Sequence, residues 1–136
     1  MLGAWKFTLE NVYRPFPDDS AMYTPIINLP GLLTAASIYG QTRIPAASLL
    51  ERLQVALESA PVGGDVTLSL VDAAGAAYGV SVTVPAGQTF GEFVFNPAGR
   101  LALAAGSDLR AKCIATPGGD YPGGFGVLTL FTRLAN

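Results

Sequence analysis

Along much of the chain apolar and polar residues alternate one by one. In RLQVALES, Leu53, Val55 and Leu57 fall on one side and Arg52, Gln54 and Glu58 on the other, the pattern of a half-buried strand. Leu49, Leu50, Leu53 and Leu57 also stand at helical spacing, so a helix over 48–59 is the rival reading. The residues after Ser59 favour the strand. APVGGD supplies a proline with fixed φ and two glycines free to take positive φ, so the chain reverses there. DVTLSLVD then returns with Val66, Leu68 and Leu70 on one face.

The same alternation recurs in GVSVTVPAGQ, TFGEFVF, DLRAKCIAT and FGVLTLFTRL, with glycine- and proline-rich turns between them. Strands are therefore expected over 52–58, 65–71, 79–84, 89–95, 108–115 and 125–133. NPAGRLALAAGSD reads as a broad connection with a short apolar middle, and PGGDYPGG as a loop. Short antiparallel strands at this spacing predict an all-β fold, an antiparallel β-sandwich of jelly-roll type.

Residues 1–50 behave differently. Trp5, Phe7, Tyr13, Phe16 and Tyr23 are interrupted by Pro15, Pro17, Pro25, Pro30 and Pro45, too often for a long regular element. This predicts an extended N-terminal arm over 1–50, with one or two strands such as LTAASIYG, followed by a sandwich over 51–136. The five aromatics are the candidate contacts with another subunit or a particle shell, since aromatic anchors dominate interfaces. The rival reading makes AWKFTLENVY an edge strand of its own sandwich, with Trp5, Phe7 and Leu9 inward.

Composition narrows the chemistry. The 136 residues include no histidine and one cysteine, which removes Ser-His and Cys-His nucleophile pairs and any intrachain disulfide. Cys113 is expected to pack as a small hydrophobe beside Leu109 and Ala111. With a net charge of −2 and eight scattered cations, neither nucleic acid nor an anionic membrane is an expected partner. No apolar run approaches the length of a membrane helix, and MLGAWKFTLE lacks the pattern of an export signal. Half of the residues are hydrophobic and 13% charged, more apolar surface than one small core needs.

Candidate sites are few. Asp18-Asp19, the one adjacent carboxylate pair, stands in RPFPDDSAM, where Asp and Ser ordinarily make turns. Asp65, Asp72, Asp108 and Asp120 lie at strand ends or in loops and could meet at a Ca²⁺ ion, though without the spacing of a calcium loop. TPGGDYPGGFG is followed by a strand where a phosphate-binding loop needs a helix. Tyr121 and Phe125 within it could stack on a sugar, and the rival for both is local packing or a neighbouring subunit. No catalytic set, metal site or cofactor is expected, and the chain does not read as an enzyme.

From Arg52 to Phe131 the sequence resembles a family of bacteriophage virion proteins, in the APVGGD hairpin, the VTVPAGQT strand-turn, LAAGSDLRAKC and a Gly-Pro loop before a last apolar strand. VDAAGAAYG departs from that family's more usual Asn-Gly turn, and the aromatic N-terminal segment is extra. The resemblance implies a surface-decoration, head-fibre or tail-fibre module that forms a trimeric β-sandwich. Its implied partners are further copies of itself, as a homotrimer, and a major capsid or tail protein. It implies a place in the virion after synthesis in the host cytoplasm. A carbohydrate-binding module for receptor recognition is the alternative, and it requires Tyr121, Tyr78 or Phe125 to line an exposed groove.

Overall fold

The strongest alternation in the chain forms a long strand, Ser48–Leu57, paired antiparallel with Gly126–Leu134 along its whole length. Leu53, Val55 and Leu57 are buried by this pairing, so the helical rival is overturned. A computed structural model describes residues 22–118 and 120–135. In chain order its strands are β1 (Met22–Tyr23), β2 (Ile26–Leu29), β3 (Leu33–Thr34), β4 (Ile38–Arg43), β5 (Ser48–Leu57) and β6 (Val66–Val71). They continue as β7 (Ala77–Val84), β8 (Phe90–Val94), β9 (Leu101–Leu103), β10 (Asp108–Ala115), β11 (Asp120–Tyr121) and β12 (Gly126–Leu134). One 3₁₀ turn, Pro97–Gly99, lies in the broad connection.

The first sheet runs β2–β12–β5–β8, with β1 extending β2 along β12 and β9 extending β8 along β5. The second runs β4–β10–β6–β7, and β3 with β11 forms a small ribbon. The antiparallel pairs are nested: β6 with β7, β5 with β8 and β9, β4 with β10, and β2 with β12. A long hairpin rolled up in this way is a jelly roll. The predicted all-β antiparallel sandwich is therefore the fold.

Alternation decides which faces meet. Leu50, Leu53, Val55, Leu128 and Leu130 point from the first sheet into one buried cluster with Leu68, Leu70, Val82, Leu109 and Cys113 from the second. Each such side chain contributes about 1.5–3 kcal/mol on leaving water. At one side the chain crosses between sheets at β7–β8. There Gly91 sits directly against the Thr83 carbonyl, an approach open only to a residue without a Cβ.

Residues 22–50 contribute strands to both sheets, and Ile27, Leu29, Leu33 and Ile44 are buried in the common core. The expected boundary at 50/51 falls inside β5. Pro25, Pro30 and Pro45 lie between strands, so these prolines mark the corners of the roll. LTAASIYG is divided between β3 and β4 by Ala36, whose φ of 72° breaks the extended run.

Candidate interaction surface

The outer face of the first sheet carries three cross-strand rows. Phe90, Ala56, Val127 and Asn28 form one; Glu92, Gln54, Thr129 and Ile26 the next; Val94, Arg52 and Phe131 the third. These are the positions that alternate with the core residues, and on a single-layered face they would ordinarily be polar. Instead Phe90 is 47% exposed, Val94 60% and Ile26 47%. The polar members are tied to each other: Gln54 Nε2 donates to Glu92 at 2.7 Å and Arg52 to the same oxygen at 3.3 Å. The Arg52 guanidinium also lies 4.3 Å from the centre of the Phe131 ring, within cation–π range.

At the end of this face where β12 finishes, Glu51 collects two guanidinium groups. Arg133 Nε donates to Glu51 Oε2 at 2.8 Å and Arg100 stands 3.2 Å from the same oxygen. Beside them is a depression of about 210 Å³ walled by Arg52, Val94, Phe95, Arg100 and Phe131.

The outer face of the second sheet is mixed, with Ile38 and Ile114 exposed beside a polar cluster. Asp108 accepts from Arg110 Nε at 2.9 Å and Gln41 Nε2 at 2.6 Å, with Arg43 at 3.6 Å. The hydrogen bond from Arg110 is the main reason its carboxyl is held below the usual range. A second depression, of about 380 Å³, lies against this sheet between Ala35, Val71, Lys112 and Ile114. Cys113 faces inward and is fully buried, which pushes its thiol up.

Of the aromatic contacts expected from the sequence, Trp5, Phe7, Tyr13 and Phe16 lie outside the described residues. Tyr23 belongs to its own subunit's sheet: its hydroxyl bonds Ala46 O at 3.1 Å and Ser48 Oγ, while Thr132 donates to its carbonyl. The loop aromatics separate. Tyr121 is buried and its hydroxyl donates to Ser59 O, so it packs and is not offered to a ligand. Burial raises its phenol. Phe125 is 58% exposed and rests against Gly31. Tyr78 is half-buried and donates to Asp108 O at 3.2 Å. Among the described residues, Asp65, Asp72 and Asp108 are not gathered as metal ligands. No described helix is long and apolar enough to cross a membrane.

Sequence reasoning places Arg52, Gln54 and Glu58 on the outer side of their strand but does not single out Phe90, Val94 or Ile26. The signal is present in TFGEFVF, where apolar residues occupy both faces.

No protein-family model matches the chain, and no curated protein matches it. Among solved structures, the chain is similar to the virus-like particle of the extra small virus of the giant freshwater prawn Macrobrachium rosenbergii. The identity is 14% and the TM-score 0.36, over 82% of this chain and 77% of that one.

Proposed function

We propose that the chain is a structural subunit of a virion, not an enzyme, and that it assembles with copies of itself through the outer face of its first sheet. Jelly rolls serve as capsid subunits and as lectins, and fold by itself does not choose between them. The observation that carries the reading is the exposure of Phe90, Val94 and Ile26 on one sheet face. Exposed apolar side chains on the outer face of a sheet are a feature of interaction sites. Arg52 and Glu92, side by side on that face, give a copy docked about a two-fold or three-fold axis charges to pair with. The burial of Tyr121 removes one of the aromatics that a sugar-binding loop would need.

In its finer form the proposal is a decoration or fibre-type subunit of a phage particle, a homotrimer that docks on a capsid or tail protein. The test is purification of particles from cells making a tagged copy. Tagged protein at stoichiometric occupancy on particles supports the proposal. A protein that stays monomeric at micromolar concentration and never cosediments with particles rejects it.

A further inference from the structure

We propose that the hollow on the outer face of the second sheet binds a small monocarboxylate with an apolar body, its carboxylate held by Lys112 and Ser69. This does not rest on the virion reading. Ser69 and Val71 stand on the side of β6 that faces away from the core, since Leu68 and Leu70 point inward, and yet both are buried. Val71 has no place in the core cluster. It lies instead in a hollow of about 380 Å³ walled by Ala35, Ala36, Gly75, Ala77 and Ile114, within the size range of small-molecule sites.

Both walls are fixed by hydrogen bonds. On one side Ala36 N donates to Cys113 O at 2.7 Å and Cys113 N to Ser37 O at 2.9 Å, which seats the β3–β4 loop against β10 with Ala36 at a φ of 72°. On the other the Asp72 carboxylate accepts from Ala74 N and Ala76 N, each at 2.9 Å, and ties the β6–β7 turn. Gly75 in that turn comes so near the opposite wall that a Cβ on it would lie 3.4 Å from Ile38 Cδ1. A hollow held in this way is formed before its ligand arrives, so little ordering opposes binding.

The polar groups choose the ligand. Lys112 is the direct cross-strand neighbour of both Ile38 and Ser69. Among the described residues no carboxylate pairs with Lys112, and Asp108, on the same face, is taken by Arg110, Gln41 and Arg43. Ser69 Oγ makes a long bond, 3.4 Å to Val80 O, and a hydroxyl rotates to a stronger acceptor. One ammonium and one hydroxyl match the two oxygens of a carboxylate, whereas a phosphate brings more acceptors than they satisfy. Val71, Ile114 and the three alanines ask for an apolar body. A cavity of roughly 150 Å³ holds a benzene ring, so a phenyl group on a short chain fits.

Phenylpropanoate is the probe, followed by the amide shifts of the isotope-labelled full chain. At millimolar probe, saturating shifts are expected at residues 35–37, 69–71, 75–77 and 112–114. Lys112→Gln should weaken binding about tenfold, as loss of a hydrogen bond to a charged group does, and Lys112→Arg should retain most of it. Phenylpropanol should bind more weakly and be indifferent to Lys112→Gln. Ala77→Phe, at an exposed position, fills the hollow and should abolish binding, with melting curves checking that the variant folds. Phe90→Asp with Val94→Asp should leave binding unchanged, so this site and the sheet-face interface fail separately. No saturable shift at millimolar probe, equal affinity for acid and alcohol, or an affinity unchanged in Lys112→Gln overturns the proposal. Shifts confined to the first sheet also overturn it, by placing the probe on Phe90 and Val94.

Discussion

Gly91 lies so close to the backbone carbonyl of Thr83 that a Cβ on it would overlap the oxygen and its carbon. This contact is where the chain leaves the second sheet for the first, and backbone cannot yield as a side chain would. Gly91→Ala is expected to lower stability by about 1–3 kcal/mol, the usual cost of overpacking. Gly87, in the turn just before, has a φ of 82° and open space around it, so its alanine variant should cost only about 1–2 kcal/mol of backbone strain. Urea midpoints of the two variants check this; a neutral Gly91→Ala would remove the close corner.

The titrating groups give a stability profile with two different limbs. Asp108 is held below the usual carboxylate range, chiefly by the Arg110 hydrogen bond, so its charge favours the fold. That contribution is present above the ordinary Asp value of about 3.9 and is lost as pH falls through the lower folded value. Cys113 and Tyr121 run the other way, since burial raises both. The unfolded chain loses those protons first, and stability falls as pH rises beyond about 8.5 for the thiol and about 10 for the phenol. Melting temperature against pH should therefore be level in the neutral range and fall on both sides. Cys113→Ala should remove the first alkaline step, and Asp108→Asn should flatten the acid limb. An unchanged alkaline slope in Cys113→Ala would show that the thiol is not buried in solution.

Substitutions on the two faces of the first sheet should have opposite consequences. Leu128 and Leu130 are buried, and an unpaired charge there costs several kcal/mol, about the whole margin of a small domain. Leu128→Asp or Leu130→Asp should unfold the protein. Phe90→Asp with Val94→Asp removes exposed side chains, so the β-sheet spectrum should persist while the self-associated species disappears from light scattering. Association that survives the second pair would move the interface off this face.

The alternation is legible because the core of a jelly roll takes every second residue of each strand. Stretches 65–71 and 108–115 become Val66–Val71 and Asp108–Ala115 with little change at their ends. The pairing is less legible. β2 and β12 meet across most of the chain, and nothing local to Ile26–Leu29 announces that partner. Short strands set between prolines read as an arm, although Ile27 and Leu29 are core residues. For Tyr121 the sequence leaves both sugar stacking and local packing open, and the Ser59 carbonyl it reaches, with its burial, favours packing. The apolar outer face stays hidden because periodicity counts an exposed Phe90 as a break in the pattern.

The N-terminal region offers the sharpest division between packing and docking. β2 covers the edge of β12 and buries Ile27 and Leu29. Two such side chains contribute about 3–6 kcal/mol together, comparable with the total stability of a small domain. Removing residues 1–30 takes away this strand and leaves the β12 edge unpaired, so the truncated chain should be unfolded or aggregated. Removing only 1–15 leaves both β1 and β2 in place. That shorter truncation should melt within a few degrees of the full chain, measured by circular dichroism. If Trp5, Phe7 and Tyr13 anchor the subunit to a neighbour or a shell, it should also lose particle occupancy without losing its fold. Full occupancy by the protein lacking 1–15 would assign attachment to the sheet face itself, whereas unfolding would make those aromatics part of the core.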